Sequence, residues 1–145
     1  MNVPSQLLSQ IKQDEGFRAE AYLDTLSNWT IGYGHTPAQE GDTITEEEAT
    51  QLLIQDLAEA ERNLTSALPW VSDLDPIRYS VLWNMCFNEG IGHLLEFKHM
   101  LAACQQGDWE EAANQMANSL WAQQVKSRAI QLEHQMRFGV WTMDA

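Results

Sequence analysis

Apolar positions keep a helical spacing through most of the chain and lose it in one stretch near the start. Leu8, Ile11 and Glu15 follow an i, i+3, i+7 stripe, which predicts a first helix with Glu15 facing inward and Gly16 as a left-handed cap. From Glu20 to Ile44 the helical period disappears. Thr, Ile, Tyr and Trp there alternate with Gly32, Gly34 and Gly41, predicting two or three short strands with tight turns, the first turn beginning at Asp24. Thr45-Glu46-Glu47-Glu48 has the form of a capping box, and the stripe Ala49, Leu52, Leu53, Leu57, Ala60, Leu64 that follows predicts a long helix carrying Asp56 on its apolar face. Beyond Asp75-Pro76 the pattern is helical only. Helices are predicted over 76–89 ended near Gly90, 96–106 ended by Gly107, 109–120 capped by Asp108 with Glu111, and 127–138 ended by Gly139. The fold class is therefore α+β, mainly α: a small N-terminal β-hairpin lobe joined by a long helix to a helical C-terminal lobe. We expect one domain over 1–145, with 15–60 as the small lobe and 1–14 plus 61–145 as the helical lobe.

Composition narrows the function classes. The 145 residues, 44% hydrophobic with six Trp, suffice for one packed core. No run approaches the roughly 18 apolar residues of a membrane span, and Met1 to Glu15 lacks the apolar block of a secretory signal, so we expect no stable membrane insertion and a cytoplasmic site of synthesis. Cys86 and Cys104 sit in helical apolar patterns without CxxC spacing and read as buried free thiols. His35, His93, His99 and His134 share no zinc-ligand spacing, so no metal is expected. A net charge of −13 speaks against nucleic acid as a partner. The acidity is uneven, since residues 1–75 hold 14 acids and 3 bases, whereas 76–145 hold 7 acids and 5 bases. Three late bases, Lys126, Arg128 and Arg137, fall close together.

The candidate chemistry is a pair of carboxyls. On the core side of a helix end a carboxyl is costly to ionise and tends to keep its proton, which suits Glu15 to the role of an acid. Asp24, in a polar turn, would stay ionised, and Thr30 offers a hydroxyl to hold a water. An acid, a base and a water site are what glycoside hydrolysis requires. In a chain with 21 acidic residues such a pairing also arises by chance, so a solvated surface Glu15 remains open at this point.

The runs Glu15-Gly16, Tyr22-Leu23-Asp24 and Thr30-Ile31-Gly32-Tyr33-Gly34-His35 resemble the signature of the phage-type lysozymes, the glycoside hydrolase family that includes the T-even phage enzyme. The resemblance covers 5–141. It continues through Ile44-Thr45 with Glu48-Ala49 and Asp56, through Asn84-Met85 with Phe87-Asn88 and Gly90, and through Trp121, Gln124, Arg128-Ala129 and Gly139-Val140-Trp141. It implies a lysozyme-like fold and a monomer without cofactor that cuts bacterial peptidoglycan during host cell lysis. By the same resemblance Glu15 is the general acid, Asp24 and Thr30 position or activate the water across a cleft, and Arg128 approaches Glu15. Inversion at the sugar carbon, with carboxyls about 6.5–9.5 Å apart, is implied as well. His35 and Asp56 correspond to a structural ion pair.

Substrate contacts are expected from Asn84 and Asn88, i and i+4 on one helix face, from Gln124 and Arg128, and from Trp29. For the two asparagines, buried amides bonded to backbone are an equal reading. Two features depart from the family pattern: only eight residues separate His35 from Ile44, and Glu89 stands where an apolar residue is expected. A wall-binding module that has lost catalysis, a lytic transglycosylase and a chitin hydrolase are the competing readings.

Overall fold

The computed structural model describes residues 3–142. Helix α1 (Ser5–Glu15) leads into the antiparallel strands β1 (Arg18–Leu23) and β2 (Trp29–Gly32), followed by the long helix α2 (Glu46–Ala67) and a 3-10 turn at Pro69–Asp73. The remaining helices are α3 (Pro76–Glu89), α4 (Ile91–Leu94), α5 (Lys98–Gln106), α6 (Trp109–Ala117), α7 (Leu120–Val125) and α8 (Ser127–Phe138). The mainly helical α+β class is as expected. Contacts group the chain into two compact units, one ending at Glu59 and the other beginning at Ala60, inside α2.

In the first unit α1 buries Leu7, Gln10 and Ile11, while Leu8 and Glu15 are half-buried. The buried seam is thus rotated by about one position from the predicted Leu8 stripe. Gly16 keeps the positive φ of 71° but its ψ is 149°, a conformation open to glycine that is not the predicted left-handed cap, as the chain passes almost directly into β1. Strand register pairs Arg18 with Gly32, Tyr22 with Thr30 and Leu23 with Trp29. The third segment anticipated before Ile44 is a short return past β1: the Ala21 N–H donates to the Asp42 carbonyl at 2.9 Å and the Ile44 N–H to the Ala19 carbonyl at 2.8 Å.

The capping box at the start of α2 is formed in both directions. The Thr45 N–H donates to Glu48 Oε1 at 3.0 Å and the Glu48 N–H to Thr45 Oγ1 at 3.1 Å, an arrangement worth about 1 kcal/mol for the cap. The α2 stripe buries Ala49, Leu53, Leu57, Ala60 and Leu64, with Leu52 half-buried. Within the first unit α1 is tied to the segments that follow it. Lys12 explains this locally, pairing with Glu46 at 3.2 Å and lying 5.3 Å from the Tyr33 ring centroid.

In the second unit Asp75 caps α3 by accepting the Arg78 N–H at 3.1 Å, and Ser80 to Cys86 are all buried, so α3 is covered on every side. The predicted helix over 109–120 divides at Ser119. Its hydroxyl donates to the Met116 carbonyl at 2.7 Å and accepts the Ala122 N–H at 3.1 Å, closing α6 and capping α7 with one side chain. Helix α6 packs on α5 and α8, and α8 also packs on α3. Arg78 holds the end of α8, its Nε donating to the Met136 carbonyl at 2.7 Å and its Nη2 to the Arg137 carbonyl at 3.1 Å. The same guanidinium lies 4.2 Å from the Trp109 ring centroid, so it satisfies terminal carbonyls while stacking on an aromatic face. Cys86 and Cys104 are buried and unbridged.

Candidate active site

Asp24, Thr30 and Asn28 form a single hydrogen-bonded turn between β1 and β2. Asp24 Oδ1 accepts the N–H groups of Leu26 and Asn28, each at 2.8 Å, and the Asp24 N–H donates to the Asn28 carbonyl at 2.9 Å. The Asn28 N–H bond is the largest influence holding the Asp24 carboxyl below its ordinary pKa, and Leu26 and the Asn28 side chain act in the same direction against a desolvation penalty. Thr30 is buried, and its hydroxyl donates to the same Asn28 carbonyl at 3.0 Å. With its proton so committed, the Thr30 oxygen is left to act as an acceptor. Asn28 is the organiser that sequence reading passed over. A Ser-Asn pair directly before a strand is a turn signal that points to it.

Glu15, at the last position of α1, lies against Gly34. A Cβ placed on Gly34 would fall 2.6 Å from Glu15 Oε1 and 3.4 Å from its Cδ. His35, the next residue, pairs through Nδ1 with Asp56 Oδ2 at 2.8 Å, and both side chains are about three-quarters buried. The carboxylate on the apolar stripe of α2 thus meets a partner at the ion-pair position expected of it. Trp29 is half-buried in β2, its carbonyl accepting the Ala38 N–H at 3.0 Å.

The other sequence-selected residues lie in the second unit. Asn84 is completely buried, and neither of its amide atoms meets a hydrogen-bond partner among the described residues. Asn88 accepts the Trp121 indole N–H at 2.9 Å through Oδ1. Arg128 is 7% exposed and Gln124 is exposed. Gln124, Trp121, Glu89, His93 and His99 are among the residues lining a cavity of about 590 Å³. Glu89, the departure from the family pattern, is therefore a cavity-wall residue. Lys126, Arg128 and Arg137 do not make a free basic patch. Arg128 is buried, and Arg137 is held by Glu110, Glu133 and Asn114. Sequence proximity hid the acidic partners, which arrive from α6 and from the preceding turn of α8.

A small antiparallel sheet with an acidic turn, a carboxyl closing the helix before it, and a predominantly helical second unit define the class of lysozyme-like α+β folds. The sequence model of the family described as phage lysozyme matches residues 12–135, a span that contains every candidate site residue. The chain belongs to that family. It is 32% identical to the pre-baseplate central spike protein Gp5 of Enterobacteria phage T4, over 88% of this chain but only 27% of that protein. It is 31% identical to the probable T4-type lysozyme 1 of Dictyostelium discoideum, over 86% of this chain and 89% of that protein. Against the endolysin of Salmonella phage P22 identity is 33%, covering 62% of this chain and 64% of that one. The chain thus spans about a quarter of the phage T4 spike protein and most of the amoebal lysozyme. Among the described residues no helix is long and apolar enough to cross a membrane.

Proposed function

We propose that the protein is a muramidase that hydrolyses the β-1,4 bond between N-acetylmuramic acid and N-acetylglucosamine in bacterial peptidoglycan, with host cell lysis as its role. The observation that carries this reading is the turn in which Asp24 and Thr30 are both bonded to Asn28, within a chain that matches the phage lysozyme family over 12–135. Glu15 donates its proton to the glycosidic oxygen as the bond to the leaving sugar breaks. Asp24 Oδ1 is occupied by two backbone N–H groups, so Oδ2 takes the proton of the attacking water. The Thr30 oxygen, its own proton given to the Asn28 carbonyl, accepts the water's second hydrogen and aims its lone pair at the sugar carbon. Water entering opposite the leaving group gives inversion. Asn88, Gln124, Arg128 and Trp29 are proposed as substrate contacts, from which Asn84 is withdrawn because it is completely buried, and the enzyme acts as a monomer without cofactor, made in the host cytoplasm and released to the wall. The names of the P22 and other endolysin relatives support the lytic role.

The test is release of reducing ends from purified peptidoglycan by the wild type and by Glu15→Gln. Loss of general acid catalysis should lower the rate by about 10²–10⁴-fold. Near wild-type turnover in the variant overturns the assignment of Glu15, and wall binding without reducing ends identifies a binding module instead. Product masses lighter by one water would mark a lytic transglycosylase.

A further inference from the structure

Glu15 rests on a wall whose position is fixed from the opposite side. The segment 31–35 doubles back on itself through reciprocal bonds, the Ile31 N–H donating to the His35 carbonyl at 3.0 Å and the His35 N–H to the Ile31 carbonyl at 2.9 Å. Three of its residues then touch α2. A Cβ on Gly32 would lie 3.0 Å from Ala49 Cβ, the Tyr33 hydroxyl donates to Glu46 Oε2 at 2.9 Å, and His35 pairs with Asp56 at 2.8 Å. Glu46, Ala49 and Asp56 are spaced i, i+3 and i+10, so they share one face of the helix, and the segment lies along that face as a clamped strip. Helix α1 reaches the same anchor one turn before Glu15, through the Lys12 pair with Glu46.

Gly34 is the point of this strip that faces Glu15. Its φ is 78°, and an added Cβ would meet Oε1 at 2.6 Å, Cδ at 3.4 Å and Cγ at 3.8 Å. The carboxyl and the carbon next to it therefore lie over the bare Cα. With the strip held on α2, a side chain at 34 would push the Glu15 carboxyl out of its place.

We propose that Gly34 is a positioning residue for the general acid: its missing side chain creates the seat in which the Glu15 carboxyl is held at the angle needed for proton donation. The seat works by contact, so it fixes the place of the acid without adding a charge beside it. Side chains of any size at 34 displace the acid, and a displacement of about 1 Å is enough to cost roughly 10²-fold in rate. This inference rests on the assignment of Glu15 as the acid, and it has a readout that does not depend on activity.

The experiment compares Gly34→Ala with Gly41→Ala and sets the first in a cycle with Glu15→Ala. Gly41 has φ 89° and nothing within 4 Å of an added Cβ, so Gly41→Ala carries the backbone strain of a positive φ without a clash. On peptidoglycan, Gly34→Ala should lose about 10²-fold in kcat with KM changed less than about twofold, while Gly41→Ala keeps its kcat. In thermal unfolding, Gly34→Ala should lower Tm by about 3 °C or more beyond its cost in the Glu15→Ala background, where the clashing oxygen is absent. Equal Tm losses in both backgrounds, or a Gly34→Ala protein with wild-type kcat, overturn the proposal. If Gly34→Ala accumulates unfolded, recovery of the fold in the double variant supports the contact, and a double variant equally unfolded overturns it. A wild type inactive on peptidoglycan would defeat the muramidase reading and leave the Tm cycle to decide the contact.

Discussion

Asp24 and Asn28 hold each other from both directions: Asp24 Oδ1 accepts the Asn28 N–H at 2.8 Å while the Asp24 N–H donates to the Asn28 carbonyl at 2.9 Å. The carboxylate proposed as the base is therefore also the fastener of its own turn. Its pKa lies below the ordinary 3.8, so the stabilisation it provides is complete above that value and is lost as pH falls through the lower folded-state pKa. In Asp24→Asn the amide oxygen still accepts both N–H groups but cannot titrate. Thermal unfolding followed from neutral pH down to about pH 2 should show a flatter acid limb for the variant than for wild type. At neutral pH the variant should stay folded yet lose about 10²–10⁴-fold in turnover, which separates the chemical role from the structural one. An unchanged acid limb would contradict the coupling of Asp24 to its turn.

Arg78 predicts an effect on stability within the second unit. Its two donors satisfy the Met136 and Arg137 carbonyls at the end of α8, where a cation also favours the helix dipole. Arg78→Met keeps most of the stacking volume on Trp109 but strands those carbonyls. Unfolding free energy should fall by about 1–3 kcal/mol in denaturant titration. Gly139→Ala attacks the same joint from the other side, since its Cβ would come 2.9 Å from Arg78 Nη1 at a φ of 65°. The two changes should be less than additive.

The two thiols should be inert in the folded protein. Burial pushes Cys86 up to about 11 and Cys104 up to about 12, so neither forms appreciable thiolate near neutral pH. A disulfide reagent at pH 8 should label both only after denaturant is added, and rapid labelling of the native chain would contradict this packing. Cys104 has the more enclosed setting, its Sγ lying 3.6 Å and 3.7 Å from the sulfurs of Met100 and Met136. It should be the slower of the two when labelling is followed by mass spectrometry.

Acidity bears on how the proposed substrate is approached. Residues 1–75 carry 14 acids against 3 bases, and bacterial walls are themselves anionic, so the encounter is repulsive at low salt. Screening shortens that field to about 8 Å at 0.15 M ionic strength. Turnover on whole walls should rise with moderate salt before falling, and a steady decline from low salt upward would contradict the repulsion. Of the three late bases Lys126 is the one left exposed, since Arg128 is buried and Arg137 is ion-paired. Arg137→Gln should thus lower Tm, whereas Lys126→Gln should change wall sedimentation more than stability.

Local chemistry was legible in the chain itself. The Asp75 and Asp108 caps, the Thr45–Glu48 box, the Asp24 turn and the limits of α3 and α8 depend on residues within a few positions of one another, and all are formed. The family signature marked Glu15, Asp24 and Thr30 as a set for the same reason: their fixed spacing spans a helix end and one hairpin. Features set by distant partners were decided only by folding. The α1 seam runs through Leu7 and Ile11 rather than Leu8, and α6 ended early because Ser119 could serve two helices. Arg137 was neutralised by an acid 27 positions away. The seat of Glu15 on Gly34 joins residues 19 apart, and neither periodicity nor propensity registers a contact made by a side chain that is absent. Spacing along the chain fixes hydrogen bonds that close within a turn; packing between elements fixes where a carboxyl is allowed to sit.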